Sequence, residues 1–84
     1  MEYELVYTPR AARDIAKLDQ ATQERIKKTL ERYKEAPFDH ARKMVDPALG
    51  SYRFRIGDYR VIFDIEDNRI VVLRVGHRRE IYRE

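Results

Sequence analysis

The fold is decided by residues 51–65, which read SYRFRIGDYRVIFDI. Before the glycine, aromatic and aliphatic residues alternate with arginines, a period-two pattern typical of a strand with one buried face. The Gly57-Asp58 dipeptide is typical of a two-residue turn, and a second alternating run follows it. The stretch therefore predicts a β-hairpin in which Arg55 lies directly opposite Arg60, with Arg53 two residues further along the same face.

Three guanidinium groups on one face of a strand pair repel one another. Solvent, acidic neighbours or a bound anion must offset that repulsion. An anion-binding surface is the sharper interpretation of the pattern, and a solvated basic face is the alternative.

The chain after this hairpin predicts a third strand. Asp67-Asn68 forms the next tight turn, and the β-branched residues that follow favour a strand. Register carried through the Asp67-Asn68 turn places Val75 opposite Arg60 on that same face. Extension of the strand then brings His77 and Arg78 to the edge of the same face. That face also carries aliphatic side chains, which we expect to dock a partner chain: Ile62, Val71, Leu73 and Val75.

The first part of the chain predicts one strand and two helices. Residues 3–7 alternate as a strand, and Thr8-Pro9 supplies a helix N-cap followed by a proline suited to the first helical position. The first helix is expected to end near Leu18, and Asp19 caps a second helix that ends at Ala36-Pro37. Helical spacing gives each helix an apolar stripe: Ala11, Ile15 and Leu18 in the first, Ile26, Leu30 and Tyr33 in the second.

These elements predict an α+β fold in one domain spanning residues 1–84. The order is a strand, a two-helix hairpin and three antiparallel strands, with the helices packed on one face of the sheet. Residues 36–50 show neither a helical nor a strand period and are predicted to be a long loop.

Composition excludes several classes of protein. The 84 residues are 43% hydrophobic and 39% charged, which is typical of a soluble globular domain. No apolar run is long enough to cross a membrane, and the N-terminus lacks the pattern of a signal peptide, so we expect a cytoplasmic protein. The chain has no cysteine and only two histidines, so neither a metal site nor a cofactor is predicted.

The charge distribution is more informative than the net charge of +3. All five lysines lie in residues 1–50, whereas the eight basic residues of 51–84 are all arginine. Arginine forms bidentate contacts with phosphate and stacks on bases, which favours anion recognition. An arginine-rich or heat-adapted composition would produce the same skew.

This inventory suits cleavage of RNA without a metal. RNA carries its own nucleophile in the 2′-hydroxyl, so an enzyme need only orient the backbone, move protons and stabilise charge on phosphorus. His77 is the residue near the arginines that ordinarily exchanges protons near neutral pH. Tyr82 could stack on a base or donate a hydrogen bond to phosphate. Surface or packing roles for both are the alternative interpretation.

Two runs carry a resemblance to a known family: residues 50–63, GSYRFRIGDYRVIF, and residues 75–83, VGHRREIYR. They are similar to the signature of RelE toxins of the RelE/ParE superfamily, and the order of elements matches that fold over the whole chain. The resemblance implies the toxin of a type II toxin–antitoxin pair, neutralised by a RelB-like antitoxin. It also implies a ribosome-dependent endoribonuclease that cleaves mRNA in the decoding site, leaving a cyclic or 3′-phosphate and a 5′-hydroxyl.

The same resemblance implies roles for individual residues. Arg53 and Arg55 fall where RelE toxins bind the substrate backbone, Arg60 at the contact to the scissile phosphate, and Arg78 at transition-state stabilisation. Tyr82 falls at the tyrosine that stacks on or orients the target nucleotide.

The general base is not assigned by this resemblance. The best-studied members have lysines where this chain has Arg53 and Arg55, and one of those lysines is the proposed base. His77, where relatives carry Lys or His, is the candidate in its place.

Two other functions stay open. A ParE-like inhibitor of DNA gyrase shares the fold but generally lacks this set of arginines and tyrosine. An inactive relative would bind only RNA or an antitoxin. In each case the toxin itself is expected to be monomeric within a complex with its antitoxin.

Overall fold

A computed structural model describes residues 3–82, so Arg83 of the second signature run and the first two residues lie outside the described part. The helices are α1 (Pro9–Ala16) and α2 (Gln20–Tyr33), and a short 3₁₀ helix spans Pro37–Asp39. The strands are β1 (Glu4–Tyr7), β2 (Arg42–Lys43), β3 (Tyr52–Ile56), β4 (Tyr59–Glu66) and β5 (Arg69–His77). The predicted α+β class is confirmed. No helix within 3–82 has the length and apolar composition needed to cross a membrane.

The strands form one sheet in the order β1-β5-β4-β3-β2. β1 pairs parallel to β5, and the other neighbours are antiparallel. β2 is an addition to the predicted order, since residues 36–50 were expected to be loop throughout. It consists of two residues, with Arg42 opposite Arg53 and Lys43 opposite Tyr52. A strand of this length has no alternation that a sequence pattern could reveal.

Both predicted helix starts are confirmed. The Thr8 hydroxyl accepts a hydrogen bond from the backbone N–H of Ala11 at 3.1 Å, and Pro9 is the first helical residue. Asp19 is the N-cap of α2. Its carboxylate accepts hydrogen bonds from the hydroxyl and the backbone N–H of Thr22, and these bonds, the hydroxyl's first, lower the pKa of the Asp19 carboxyl group. α1 ends at Ala16, two residues before the predicted Leu18.

The hydrophobic core lies between the helices and one face of the sheet. The rings of Phe54 and Phe63 stack at its centre, with centroids 4.3 Å apart. The buried residues of this core come from both helices and from β3, β4 and β5: Ala11, Ile15, Ile26, Leu30, Phe54, Ile56, Val61, Phe63, Ile70, Val72 and Val75.

The two hairpins differ in register. In β3–β4 the prediction is confirmed, with Arg55 opposite Arg60. In β4–β5 the prediction that Val75 lies opposite Arg60 is wrong, because Val75 pairs with Val61 and belongs to the core. The cause is a β-bulge at which Leu73 is the additional residue, and one extra residue turns every later side chain to the other face.

The last part of β5 is held by α1 rather than by a strand. β1 pairs with β5 only as far as Val72. Beyond that point the Thr8 hydroxyl donates to the Leu73 carbonyl at 3.2 Å. The Asp14 carboxylate accepts from the backbone N–H of Val75 at 3.0 Å and from Arg74 Nε at 2.9 Å. Side chains of α1 thus satisfy the backbone groups that β1 leaves unpaired.

Candidate functional site

The arginine face is defined as the surface formed by Arg53, Arg55 and Arg60 on the side of the sheet away from the helices. The structure brings the three together as predicted: Arg55 lies opposite Arg60, and Arg53 lies opposite Ile62 on β4. Arg42 of β2 pairs with Arg53 and adds another cation beside the face. Sequence analysis missed Arg42 because it did not predict β2.

The aliphatic part of this face is largely covered. Ile62 is fully buried, and Leu73 and Val71 are half-buried. The chain at Gly50 lies over them, since a methyl group built on Gly50 would be 2.6 Å from Ile62 Cγ2. The Ser51 N–H donates to the Asp64 carboxylate at 2.8 Å and holds this segment in place. The prediction of an aliphatic docking patch is wrong for Val75, which lies in the core, and of the other residues of the predicted patch only Val71 and Leu73 are part-exposed on this face.

The Gly57-Asp58 turn holds two of the predicted catalytic arginines. Arg60 Nη1 donates to the carbonyls of Gly57 and Tyr59, each at 2.9 Å. The backbone N–H of Arg78 donates to the Asp58 carbonyl at 2.8 Å, and its Nε lies 3.6 Å from Asp58 Oδ1. The Arg60 guanidinium is therefore hydrogen-bonded at the turn, whereas Arg78 is anchored there by its backbone and its guanidinium lies within ion-pair distance of Asp58.

Arg25 of α2 also reaches this turn. A methyl group built on Gly57 would lie 2.7 Å from Arg25 Nη2, so the guanidinium packs directly over the glycine. Gly57 has a φ of +59°, in the left-handed region that favours glycine. Sequence analysis missed Arg25 because nothing in the spacing of α2 indicates a contact with a turn 32 positions away.

His77 lies on the opposite side of the sheet from the arginine face. It pairs with Tyr59, and the two rings meet edge to face with centroids 5.6 Å apart. Its Nδ1 accepts a hydrogen bond from the Arg79 N–H at 3.2 Å. The predicted approach of His77 to the arginine face is wrong because of the bulge at Leu73. Arg78, one residue later, does reach the edge of that face through the Gly57-Asp58 turn.

His77 instead lines a groove of about 470 Å³ between α1 and the end of β5. The Asp14–Arg74 ion pair lies in this groove, and Lys17 and Glu80 contribute further charges. Sequence analysis gave Asp14 no role, because its partners lie 60 and 61 positions away.

Tyr82 follows a C-terminal turn that folds back on β5. The N–H groups of Glu80 and Ile81 both donate to the His77 carbonyl, at 2.9 and 3.0 Å. Ile81 is buried and contacts Gly76, whereas Tyr82 is 39% exposed. The turn therefore leaves the Tyr82 ring exposed to solvent, four residues after Arg78 in the sequence.

The chemistry available here is that of cations, an imidazole and a phenol. Among residues 3–82 no three His, Asp or Glu side chains are grouped so that they could hold a metal ion. The arginine face and the turn suit a phosphate group, because arginine donates two parallel hydrogen bonds to its oxygens.

Comparison with known proteins shows the family and the fold. Residues 5–82 match the sequence profile of the family described as ParE toxin of the type II toxin–antitoxin system, parDE. No protein among those with curated functional records is significantly similar to the chain.

Solved structures of toxins of this kind are similar to the fold over nearly the whole chain. The RelBE2 toxin–antitoxin complex from Mycobacterium tuberculosis superposes with a TM-score of 0.83 at 25% identity, covering 92% of this chain and 99% of that one. The RelBE complex of E. coli gives 0.74 at 25% identity, with 89% and 95% covered. A mutant of E. coli RelE in the free state gives 0.71 at 27% identity, with 98% and 92% covered.

The family profile carries the name ParE and these structures the name RelE, and both names belong to one superfamily with one fold. The resemblance inferred from residues 50–63 and 75–83 is confirmed. This chain belongs to the RelE/ParE superfamily of type II toxin–antitoxin toxins.

Proposed function

We propose that this toxin is a ribosome-dependent mRNA endoribonuclease, neutralised by a RelB-like antitoxin. The observation that carries the proposal is the anchoring of Arg60 and Arg78 at one turn, with Arg55 directly opposite Arg60. Such a cluster is suited to a phosphate whose negative charge increases during the reaction. Action on ribosomes would take place in the cytoplasm.

The reaction needs no metal in this mechanism. The 2′-hydroxyl of the target nucleotide loses its proton and attacks the adjacent phosphorus, forming a new P–O bond. The P–O5′ bond then breaks, and the leaving oxygen takes up a proton. The products are a 2′,3′-cyclic phosphate and a 5′-hydroxyl. Arg60 and Arg78 neutralise the charge on the non-bridging oxygens, which is the largest contribution a preorganised site makes.

The remaining site residues bind and orient the RNA. Arg53 and Arg55 hold the phosphates that flank the cleaved bond, and the exposed Tyr82 ring stacks on the target base. His77 is the proposed proton carrier. His77 is the last residue of β5 and pairs with Tyr59, so it would reach the reacting oxygens only if the end of β5 rearranges together with the turn that follows it.

A second function is favoured by one observation, the match to a family profile named for ParE. In that case the toxin binds and inhibits DNA gyrase and cleaves no RNA. The arginine face would then be a protein-binding surface.

The decisive experiment adds the purified toxin to a reconstituted translation mixture and maps mRNA ends with and without ribosomes. We expect cleavage only when ribosomes are present. Arg78→Ala should slow cleavage by about 100- to 1,000-fold, the loss seen when one charge-stabilising donor is removed. Arg69→Ala is the matched control, because Arg69 is exposed at the opposite end of β5.

Cleavage that survives the double variant Arg60→Ala, Arg78→Ala would show that the site is assigned wrongly. Intact mRNA with unaffected translation would exclude the nuclease. In that case inhibition of gyrase supercoiling at stoichiometric toxin would support the second function. Antitoxin binding without growth arrest on expression would identify an inactive relative.

A further inference from the structure

One flank of α2 carries only positive charge. The α2 basic flank is defined by Arg25, Lys28 and Arg32, which are exposed and, at 100° per residue, fall within a sector of about 60° on the helix surface. The other flank, by contrast, mixes signs, and there Lys34 forms an ion pair with Glu31 at 2.8 Å.

Among residues 3–82, the carboxylates next to the basic flank are Glu24 and Glu31, which lie one helical turn from Lys28 on the adjoining face. Within residues 3–82, none of the flank's three side chains has a carboxylate oxygen within 4.0 Å. The guanidinium of Arg32 lies over the ring of Tyr33, with its central carbon 5.8 Å from the ring centroid. Unpaired cations in one row produce a local positive potential that attracts a polyanion.

The basic flank is continuous with the candidate catalytic site. Arg25 packs over Gly57, whose carbonyl accepts from Arg60 on the other side of the turn. Arg78 is bound to Asp58, the next residue. Three guanidinium groups from α2, β4 and the end of β5 thus meet at one turn that contributes a single carboxylate.

The dimensions fit a nucleic-acid strand. Arg25 and Arg32 are seven residue steps apart, which is about 10 Å along the helix axis at about 1.5 Å per step. That length equals about three axial steps between phosphates on one strand of duplex DNA, at roughly 3.4 Å per step, and so gives the scale of a short run of phosphates. Contacts of this kind bind the backbone without reading sequence.

We propose that the α2 basic flank is a second RNA-backbone surface, which binds phosphates beyond those at the cleaved bond and continues from the arginine face around the Gly57-Asp58 turn. The inference deepens the proposed function and rests on it for the identity of the polyanion as RNA. Arg25 is the residue that joins the two surfaces.

The test measures binding of a dye-labelled single-stranded oligouridylate by fluorescence anisotropy over a series of salt concentrations, without ribosomes. The flank variant is Arg25→Gln, Lys28→Gln, Arg32→Gln. The control variant, Arg13→Gln, Lys27→Gln, Arg69→Gln, removes the same charge from exposed positions elsewhere. Glutamine has nearly the helix propensity of lysine and arginine, and circular dichroism checks that both variants fold.

Each phosphate contact contributes about 0.7 to the slope of log K against log salt for a single strand. Loss of three contacts in the flank variant should therefore lower the magnitude of that slope by about 2. Its Kd should rise by on the order of tenfold to a hundredfold at about 0.1 M salt. The control variant should change the slope by less than about 1. The double variant Arg25→Lys, Arg32→Lys keeps the charges and should keep the slope, which separates charge from folding defects.

Equal losses in the flank and control variants would overturn the proposal, because binding would then follow net charge alone. Unchanged RNA binding in the flank variant would also overturn it, and loss of antitoxin binding instead would assign the flank to a protein partner. Flank-dependent RNA binding by a toxin that cleaves nothing would support this surface and reject the proposed nuclease, so the two can fail separately.

Discussion

The two β-hairpins of the sheet begin alike and end differently. Each has a two-residue loop whose first residue lies in the left-handed region, Gly57 with φ of 59° and Asp67 with φ of 57°. The β3–β4 pair then continues without interruption, whereas β4–β5 is broken by the bulge at Leu73. A turn therefore sets the register only as far as the first irregularity in the strands that follow it.

The bulge lies where β5 changes its neighbour. Tyr7 of β1 pairs with Val72, and Leu73 is the next residue. From there on, Thr8, which is the N-cap of α1, and Asp14 of α1 bind the backbone of β5. The bulge thus lies where the neighbour of β5 changes from the strand β1 to the helix α1. It decides which side chains of β5 face the core and which face the arginines.

The largest expected effect tests the bulge itself. Val75→Asn should lower the free energy of unfolding by about 3 kcal/mol or more, because it places an amide in the core where Val75 is 2% exposed. The matched variant Val71→Asn, on the half-buried opposite face, should cost about 1 kcal/mol. Urea unfolding measures both, and equal losses would mean that β5 has no bulge.

The next largest effect is expected from His77→Gln, and it tests whether His77 stays on the core side of β5 during the reaction. If the turn after β5 shifts on the ribosome, His77→Gln should slow cleavage by about 100-fold or more, as loss of a proton carrier does. A loss of less than about tenfold would mean that His77 stays in the groove beside Tyr59 and does not carry the proton. Single-turnover cleavage rates measured over a range of pH values distinguish these two roles, because removal of His77 changes the dependence of the rate on pH only if His77 carries a proton.

A smaller effect is expected from Asp14, which replaces a strand partner for β5. Asp14→Ala should lower the free energy of unfolding by about 2 kcal/mol, because it leaves the Val75 N–H and the Arg74 guanidinium without this acceptor. Glu35→Ala, at an exposed position of the same charge, should stay within about 0.5 kcal/mol. Thermal unfolding measures the stability of both variants. If Asp14→Ala and Glu35→Ala lose similar amounts of stability, Asp14 does not stabilise β5 as proposed.

The smallest effects compare the two turns. Gly57→Ala should cost about 1 kcal/mol, because it puts a side chain in the left-handed region and crowds Arg25. Asp67→Gly relieves the same backbone restriction in the other turn and should change stability by less than about 0.5 kcal/mol, in the stabilising direction. If Gly57→Ala is neutral, the close packing of Arg25 at that turn is wrong.

Local chemistry explains what the sequence predicted correctly. Thr8 and Asp19 cap helices through side chains adjacent in sequence, and the Gly57-Asp58 turn sets the pairing of Arg55 with Arg60 within a few residues. The sequence therefore sufficed for the two helices, the four longer strands, the pairing of Arg55 with Arg60 and the family.

The features that sequence analysis missed depend on distant contacts. Asp14 binds the strand just after the bulge, at Val75, which is 61 residues away in sequence. Arg25 of α2 meets Gly57, 32 residues away. β2 is too short to show a period. No pattern within a strand or helix reports such contacts, and they decide that His77 lies apart from the arginines.

β2 has a consequence for self-association. An unpaired sheet edge is a template for pairing with a second copy of the same strand, which leads to aggregation. This edge is two residues long and consists of Arg42 and Lys43, both exposed. Two copies that met edge to edge would bring like charges together over a contact too short to compensate. We therefore expect the sheet to resist growth from this side even at the high concentrations reached during overexpression.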